Sequence, residues 1–191
     1  DYSLMWVFSR YDSEGRKYSI GYFVDENEKL VARPNYFTFC FFPTKVVSHL
    51  NFIIHAPFLL TDSREGIQCT SYNETMISLL ALLSADALEC FIDIGNKKNI
   101  RIIDDDIVKI IPIKRNDFDE NDSDTISFLP FYSAIQQKMK KRLLPTNGGY
   151  VSTENACWAE TKNLSDLISK DQLSKIFSYQ QWNSVLRIYE T

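Results

Sequence analysis

Phe39-Cys40-Phe41-Phe42-Pro43-Thr44-Lys45, then Asn51-Phe52-Ile53-Ile54-His55-Ala56-Pro57-Phe58-Leu59-Leu60, then Thr61-Asp62-Ser63-Arg64-Glu65-Gly66-Ile67-Gln68 is the stretch that decides the fold. The first two runs read as strands, and Pro57, which cannot donate to a ladder, places the second at an edge or a bulge. The third run is short and polar, and Asp62 or Ser63 could cap a helical turn in it. Beyond it, Met76, Ile77, Leu79, Leu80, Leu82, Leu83, Ala87, Leu88 and Phe91 recur at three-to-four spacing. That period predicts a helix from about Asn73 to Phe91, ended by Gly95-Asn96, with a stripe broad enough to cover a sheet. A loop carrying Arg64 and Gln68 is thus held between rigid elements, a placement that favours function over packing.

Toward the N-terminus, Leu4–Ser9 and Tyr18–Val24 are apolar runs joined by Asp12-Ser13-Glu14-Gly15, which suits a hairpin. Asp25-Glu26-Asn27-Glu28 signals a second turn, and Lys29–Ala32 a short returning strand. Pro34-Asn35 breaks the pattern before a strand over Tyr36–Phe42. Runs this continuous in apolar residues imply a sheet covered on both faces.

Toward the C-terminus, Asp104-Asp105-Asp106 opens either a short helix or a short strand. Three adjacent carboxylates cannot all face one ion, which argues against a magnesium cluster. Asn116–Asp124 is acidic and reads as a mobile surface loop and a subdomain boundary. A helix follows over about Thr125–Arg142, with Phe128, Phe131, Tyr132, Ile135 and Met139 on one face. Lys138, Lys140, Lys141 and Arg142 gather in its last turns, either as a solvated helix end or as a contact for nucleic acid or an acidic partner. Leu143-Leu144-Pro145 and Tyr150-Val151-Ser152 suggest two short strands about the Gly148-Gly149 turn, and Ser165–Phe177 one or two short helices. The expected fold class is α+β. A mostly antiparallel sheet is covered by a long helix in residues 1–115, and a smaller helical subdomain with a short hairpin occupies 125–191.

Ser63-Arg64-Glu65-x-Ile67-Gln68, after Phe58-Leu59-Leu60 and before a helix, resembles the catalytic loop in the middle domain of the ninety-kilodalton heat-shock chaperones. Cys40-Phe41-Phe42-Pro43-Thr44, His55-Ala56-Pro57-Phe58 and the Leu-Leu-Pro and Gly-Tyr-Val-Ser words of the tail resemble sacsin and its bacterial Hsp-like relatives in the GHKL ATPase superfamily. Gly66 stands where the chaperones carry a larger apolar residue. The resemblance implies a middle, or transducer, segment with a left-handed crossover. In that family the loop arginine reaches the γ-phosphate of ATP held with magnesium in a separate N-terminal domain, and the glutamine supports the closed state. Carried over, Arg64 and Gln68 are the catalytic candidates and Arg64 the nucleotide contact; Lys45, a second cation at a strand end, is a further candidate for nucleotide contact. Lys45 is otherwise a solvated strand-end lysine, and Arg64 a surface partner of Asp62 or Glu65.

No phosphate loop, Gly-x-Gly-x-x-Gly motif or Gly-x-Ser-x-Gly elbow occurs. The asparagine helix and Asp-x-Gly-x-Gly motif of the GHKL pocket are missing too. The implied partner is therefore an ATPase domain of the same protein, with a client protein as a further possibility. The chain starts at Asp1 rather than Met, and the resemblance reads it as a fragment. A net charge of −4 argues against general attraction to nucleic acid or anionic membrane. No uninterrupted apolar run approaches the roughly 20 residues of a membrane span, and residues 1–9 lack a signal-peptide pattern. Cysteines 40, 69, 90 and 157 fit neither zinc nor disulfide spacing, and read as buried thiols in a reducing cytoplasm. His49 and His55 lack ligand spacing, and His55 reads as a satisfied core histidine. A non-catalytic module that recruits a client protein or nucleic acid through exposed aromatics and the basic helix end is the alternative function.

Overall fold

Leu4–Tyr11 (β1) and Lys17–Val24 (β2) pair antiparallel over eight residues without a bulge. Asp12 closes their turn. Its Oδ1 accepts the Glu14 and Arg16 amides at 2.9 and 2.8 Å, while Gly15 takes the positive φ of 77° that the tight return requires. This computed structural model describes residues 4–33, 37–118, 125–142, 144–146, 149–152, 157–159 and 185–187. Phe37–Cys40 (β3), Phe42–Val47 (β4) and Ile53–His55 (β5) complete a five-stranded sheet in the order β1-β2-β5-β3-β4. β5 slots antiparallel to β2 and parallel to β3, so the sheet is mixed, with one parallel contact.

Several boundaries differ from those expected. The run 36–42 is split, because Phe41 adopts a φ of 61° and turns β3 back into β4. The run 51–60 contributes only Ile53–His55, and β5 lies inside the sheet rather than at its edge. Pro57 lies beyond that strand, in a segment where the Phe58 amide donates to Ala56 O at 2.9 Å. Lys29–Ala32 forms a single bridge, Val24 to Leu30. Nor are both faces covered everywhere: Leu4, Met5, Val7 and Tyr11 of β1 are exposed.

The long helix (α1) runs Ser71–Lys98, through Gly95-Asn96 rather than ending there. Thr70 caps it, accepting the Asn73 amide at 3.3 Å, and Asn99 ends it in the left-handed conformation. Glu74 in the first turn and Lys97 and Lys98 in the last complement its dipole. Gly95 is there for space: a Cβ on it would sit 2.6 Å from Ile100 O, where the chain folds back against the helix. By length and composition α1 could cross a membrane. Here Met76, Ile77, Leu80, Leu83, Leu88 and Phe91 are buried against the sheet and the second helix. Phe91 meets Phe8 at 5.1 Å, Tyr22 at 5.3 Å and Trp6 at 6.4 Å, all edge-to-face. The Tyr22 hydroxyl donates to Ser84 O at 3.1 Å, so burial leaves it satisfied.

Two 3₁₀ turns, Asp105–Lys109 and Arg115–Phe118, lead on; the first resolves the choice after Asp104 as a helical turn, not a strand. Residues 119–124 of the expected loop lie outside the described residues. The second helix (α2) is Leu129–Arg142, starting later than Thr125. Pro130 sits in its first turn, where a missing amide proton costs nothing. Phe128, Phe131, Ile135 and Met139 are buried in the same core, where the Phe131 ring lies tilted to that of Phe52 at 6.0 Å. Leu144–Thr146 (β6) and Gly149–Val151 (β7) form the expected hairpin. Cys157–Ala159 (β8) and Val185–Arg187 (β9) pair parallel. The helices expected over Ser165–Phe177 lie outside the described residues. The architecture is α+β, as the pattern implied.

Lys138 does not join the basic helix end. Only 14% of its side chain is exposed, and its Nζ bridges Asp86 and Glu89, both at 2.8 Å, while Arg10 reaches the other Asp86 oxygen at 2.9 Å. This network ties β1, α1 and α2 together. Burial alone would raise the Asp86 pKa, but hydrogen bonds from Lys138 and Arg10 outweigh it and hold the carboxyl below its ordinary value. Burial alone would lower Lys138, but Asp86 and Glu89 outweigh it and raise it.

The Asp86 contribution to stability is present above the ordinary carboxylate pKa and lost as pH falls through the depressed value. The Lys138 contribution is present below the ordinary lysine pKa and lost as pH rises through the raised one. Lys138→Met should therefore flatten both limbs of a plot of melting temperature against pH. Gly95→Ala should lower stability by about 1–3 kcal/mol in urea unfolding through overpacking against Ile100 O. Helix propensity alone would give a gain.

Candidate functional site: the Thr61–Gln68 loop

Residues 60–67 close on themselves as a small hairpin-like loop. Leu60 bridges Ile67, and the Thr61 amide donates to Gly66 O at 2.9 Å. Thr61 Oγ1 accepts the Gly66 amide at 3.0 Å and lies 3.1 Å from Ser63 Oγ. The Arg64 amide donates back to Thr61 O at 2.8 Å. Neither Asp62 nor Ser63 starts a helical turn: Arg64 takes a left-handed φ of 60°, which an L-residue helix does not propagate. The space at Gly66 is filled by Thr61, whose Cγ2 would lie 3.0 Å from an added Cβ. A larger residue there would press on the side chain that closes the loop. Ile67 is buried and anchors the loop to the core.

The residue that holds this loop to the scaffold was not among those singled out in the sequence. Asn73 is fully buried in the first turn of α1. Its Oδ1 accepts the Leu59 amide at 2.9 Å, and its Nδ2 donates to Leu59 O and Gln68 O, both at 2.8 Å. One side-chain amide thus grips the chain on both sides of the loop. Its signal in the sequence is an amide on the same helical stripe as Met76, Ile77 and Leu80. Tyr72 adds a second tie, its hydroxyl donating to Pro57 O at 2.9 Å, with the Arg16 guanidinium 4.5 Å above its ring.

The predicted residues meet at this loop but do different things. Arg64 is exposed, and among the described residues it has no carboxylate partner; neither Asp62 nor Glu65 takes it. Glu65 turns the other way. Its carbonyl accepts the Lys45 amide at 2.8 Å, and its carboxylate holds Lys45 Nζ at 2.6 Å. Lys45 is thus matched to a charge, although a pair this exposed adds little stability. Gln68 donates its side-chain amide to Leu60 O at 2.8 Å and its backbone amide to Leu59 O at 3.0 Å, supporting the base of the loop.

Beside the loop lies a groove of about 680 Å³, lined by Phe41, Phe42 and Pro43, by Phe58–Asp62, and by Arg64 and Cys40. Phe41 and Phe42 are 75% and 79% exposed. A positive φ on a bulky residue such as Phe41 stores about 1–3 kcal/mol of strain, so this turn is held by its surroundings. Part of the hold is His55: its Nε2 accepts the Phe41 amide at 3.3 Å, and the two rings sit edge-to-face at 5.7 Å. Burial, aided by the Lys17 charge, keeps the imidazole pKa below its usual value and so keeps that acceptor available. The satisfied histidine expected from the sequence is half-buried. Cysteine burial is only partly as expected. Cys40 is buried, its thiol pKa pushed up by desolvation, whereas Cys69 and Cys90 are exposed. Cys69 precedes the helix cap, and Cys90 falls off the apolar stripe of α1. Among the described residues no group of three or more His, Cys, Asp or Glu could hold a metal ion.

Replacing Asn73 with Ala should cost about 1–3 kcal/mol, because the Leu59 and Gln68 backbone groups lose the buried side-chain amide that pairs them. Amide exchange over residues 59–68 should rise more than elsewhere. Arg64→Gly should leave stability unchanged or raise it by about 1 kcal/mol, since glycine adopts φ 60° freely. The chain matches no protein-family model, no curated protein and no solved structure at a significant level.

Proposed function

We propose that this chain is the middle, transducer segment of an Hsp-like GHKL ATPase, working in the cytoplasm, and that Arg64 completes an active site whose nucleotide is held by a separate domain of the same protein. One observation carries the proposal. Arg64 is exposed and free of any carboxylate among the described residues, on a loop tied down by Thr61, Ile67, Gln68 and Asn73. A guanidinium with no carboxylate to release among the described residues gives up only water when a phosphate arrives, and its planar fork matches phosphate oxygens two at a time. The resemblance of Ser63-Arg64-Glu65-x-Ile67-Gln68 to the chaperone catalytic loop supports the same role.

ATP with magnesium, bound in the partner domain, supplies the phosphoryl group. Arg64 approaches from this chain on domain closure and stabilises the charge that develops on the transferring oxygens. Gln68 acts as a positioning residue, because its side chain is committed to Leu60 O at the foot of the loop. Lys45 supplies no free charge while Glu65 holds it, so its part in nucleotide contact requires that pair to open.

A second reading is a non-catalytic interaction module, favoured by the exposed Phe41-Phe42 pair. The full-length protein distinguishes them. Under the ATPase reading, Arg64→Ala lowers kcat by about 10³-fold or more with nucleotide affinity retained, and Gln68→Ala lowers it less. Unchanged turnover in Arg64→Ala, with the ATPase domain intact, sinks the catalytic role and leaves the interaction module.

A further inference from the structure

The two edges of the sheet are treated in opposite ways. At one edge, β4 carries Pro43, which cannot donate, and Lys45, whose amide is taken by Glu65 O at 2.8 Å; its pairing with β3 is irregular between Phe37 and Phe39. Proline, lysine, an irregular register and a covering loop are the usual means of blocking an edge. At the other edge, β1 carries neither proline nor lysine. Its eight residues, Leu-Met-Trp-Val-Phe-Ser-Arg-Tyr, pair with β2 in unbroken register. Among the described residues nothing pairs with its outer side. Its single charge, Arg10, is already matched to Asp86.

The outward face is apolar as well. Trp6 and Phe8 turn in toward Phe91, which sets Met5, Val7, Ser9 and Tyr11 on the opposite face. Met5, Val7 and Tyr11 are exposed, Val7 by 57% and Tyr11 by 66%. The face is kept flat by Gly21, which pairs with Val7 and has the Met5 sulfur where its Cβ would be.

We infer that β1 is a self-association edge, on which a second copy of this chain adds its own β1 antiparallel to make a continuous ten-stranded sheet. The occupant follows from the strand itself, because antiparallel pairing about a twofold axis needs a surface complementary to its own copy. With the axis at Phe8, Met5 faces Tyr11 of the second copy, Val7 faces Ser9 and Trp6 faces Arg10. No like charges meet, and both apolar faces become one. An eight-residue strand offers about 27 Å of edge, which puts the contact at the small, reversible end of specific interfaces. This inference is independent of any role for Arg64.

Sedimentation velocity of the 191-residue chain over a concentration series should show a monomer–dimer equilibrium, with amides of residues 4–11 more protected from exchange in the dimer. Val7→Lys, at an exposed position, should weaken dimerisation at least tenfold while leaving the near-ultraviolet circular dichroism and melting temperature of the monomer intact. Adding Ser9→Glu to Val7→Lys should restore the dimer, since each new lysine then faces a glutamate of the other copy. A dimer indifferent to Val7→Lys, or one not restored in the double variant, overturns the pairing. So does a chain monomeric at every concentration, whether its β1 amides exchange freely or are protected by another part of the chain.

Discussion

Phe91 is the residue on which most of the structure leans. Its ring stands edge-on to Trp6, Phe8 and Tyr22, so one side chain of α1 meets both strands of the first hairpin. That contact sets how the 28-residue helix lies across the sheet, and the remaining apolar stripe follows from its period. The second helix extends the same core through Phe131 and Phe52. Because α1 is stiff and fully seated, its first turn is seated too. Asn73 can then spend its whole side-chain amide on the backbone of the adjoining loop. Loop geometry here is a consequence of helix packing.

The charges divide according to that scaffold. Where a cation is drawn into the interior, as at Lys138, it is met by two carboxylates, and the pairing joins three elements. Where a cation lies on the loop, Glu65 goes to Lys45 and not to its neighbour Arg64. The left-handed turn at Arg64 and the hydrogen bonds of Thr61 leave that guanidinium in solvent. Two left-handed residues fall in the same neighbourhood. Phe41 and Arg64 both hold positive φ without being glycine, and both line one groove. Such conformations persist where neighbouring contacts over-determine them, as His55 does for Phe41.

The loop that presents Arg64 also takes the Lys45 amide of β4, so the region proposed to meet another domain protects the sheet from unspecific pairing on that side. The unblocked strand lies at the far end of the strand order.

The α+β class, the first hairpin with its Asp12–Gly15 turn, the two helices and their buried stripes all followed from period and turn chemistry. These are local properties: a stripe or an Asp-x-x-Gly turn is encoded within a few residues. The placement of Arg64 and Gln68 on a short loop before a helix was legible for the same reason. What the sequence left open was decided at longer range. Pro57 did not mark an edge, because β5 is inserted between β2 and β3 by pairings that no local pattern specifies. Gly95 did not end α1, because its small size serves a chain segment folding back at Ile100. Lys138 left the basic cluster for Asp86, 52 positions away, and Asn73 turned from a helix-start residue into the clamp of the loop. Local sequence determined the two helices, the first hairpin and the buried stripes of the helices. Only the tertiary structure decided which strands became neighbours and which charges found partners, since each depends on residues brought together from distant parts of the chain.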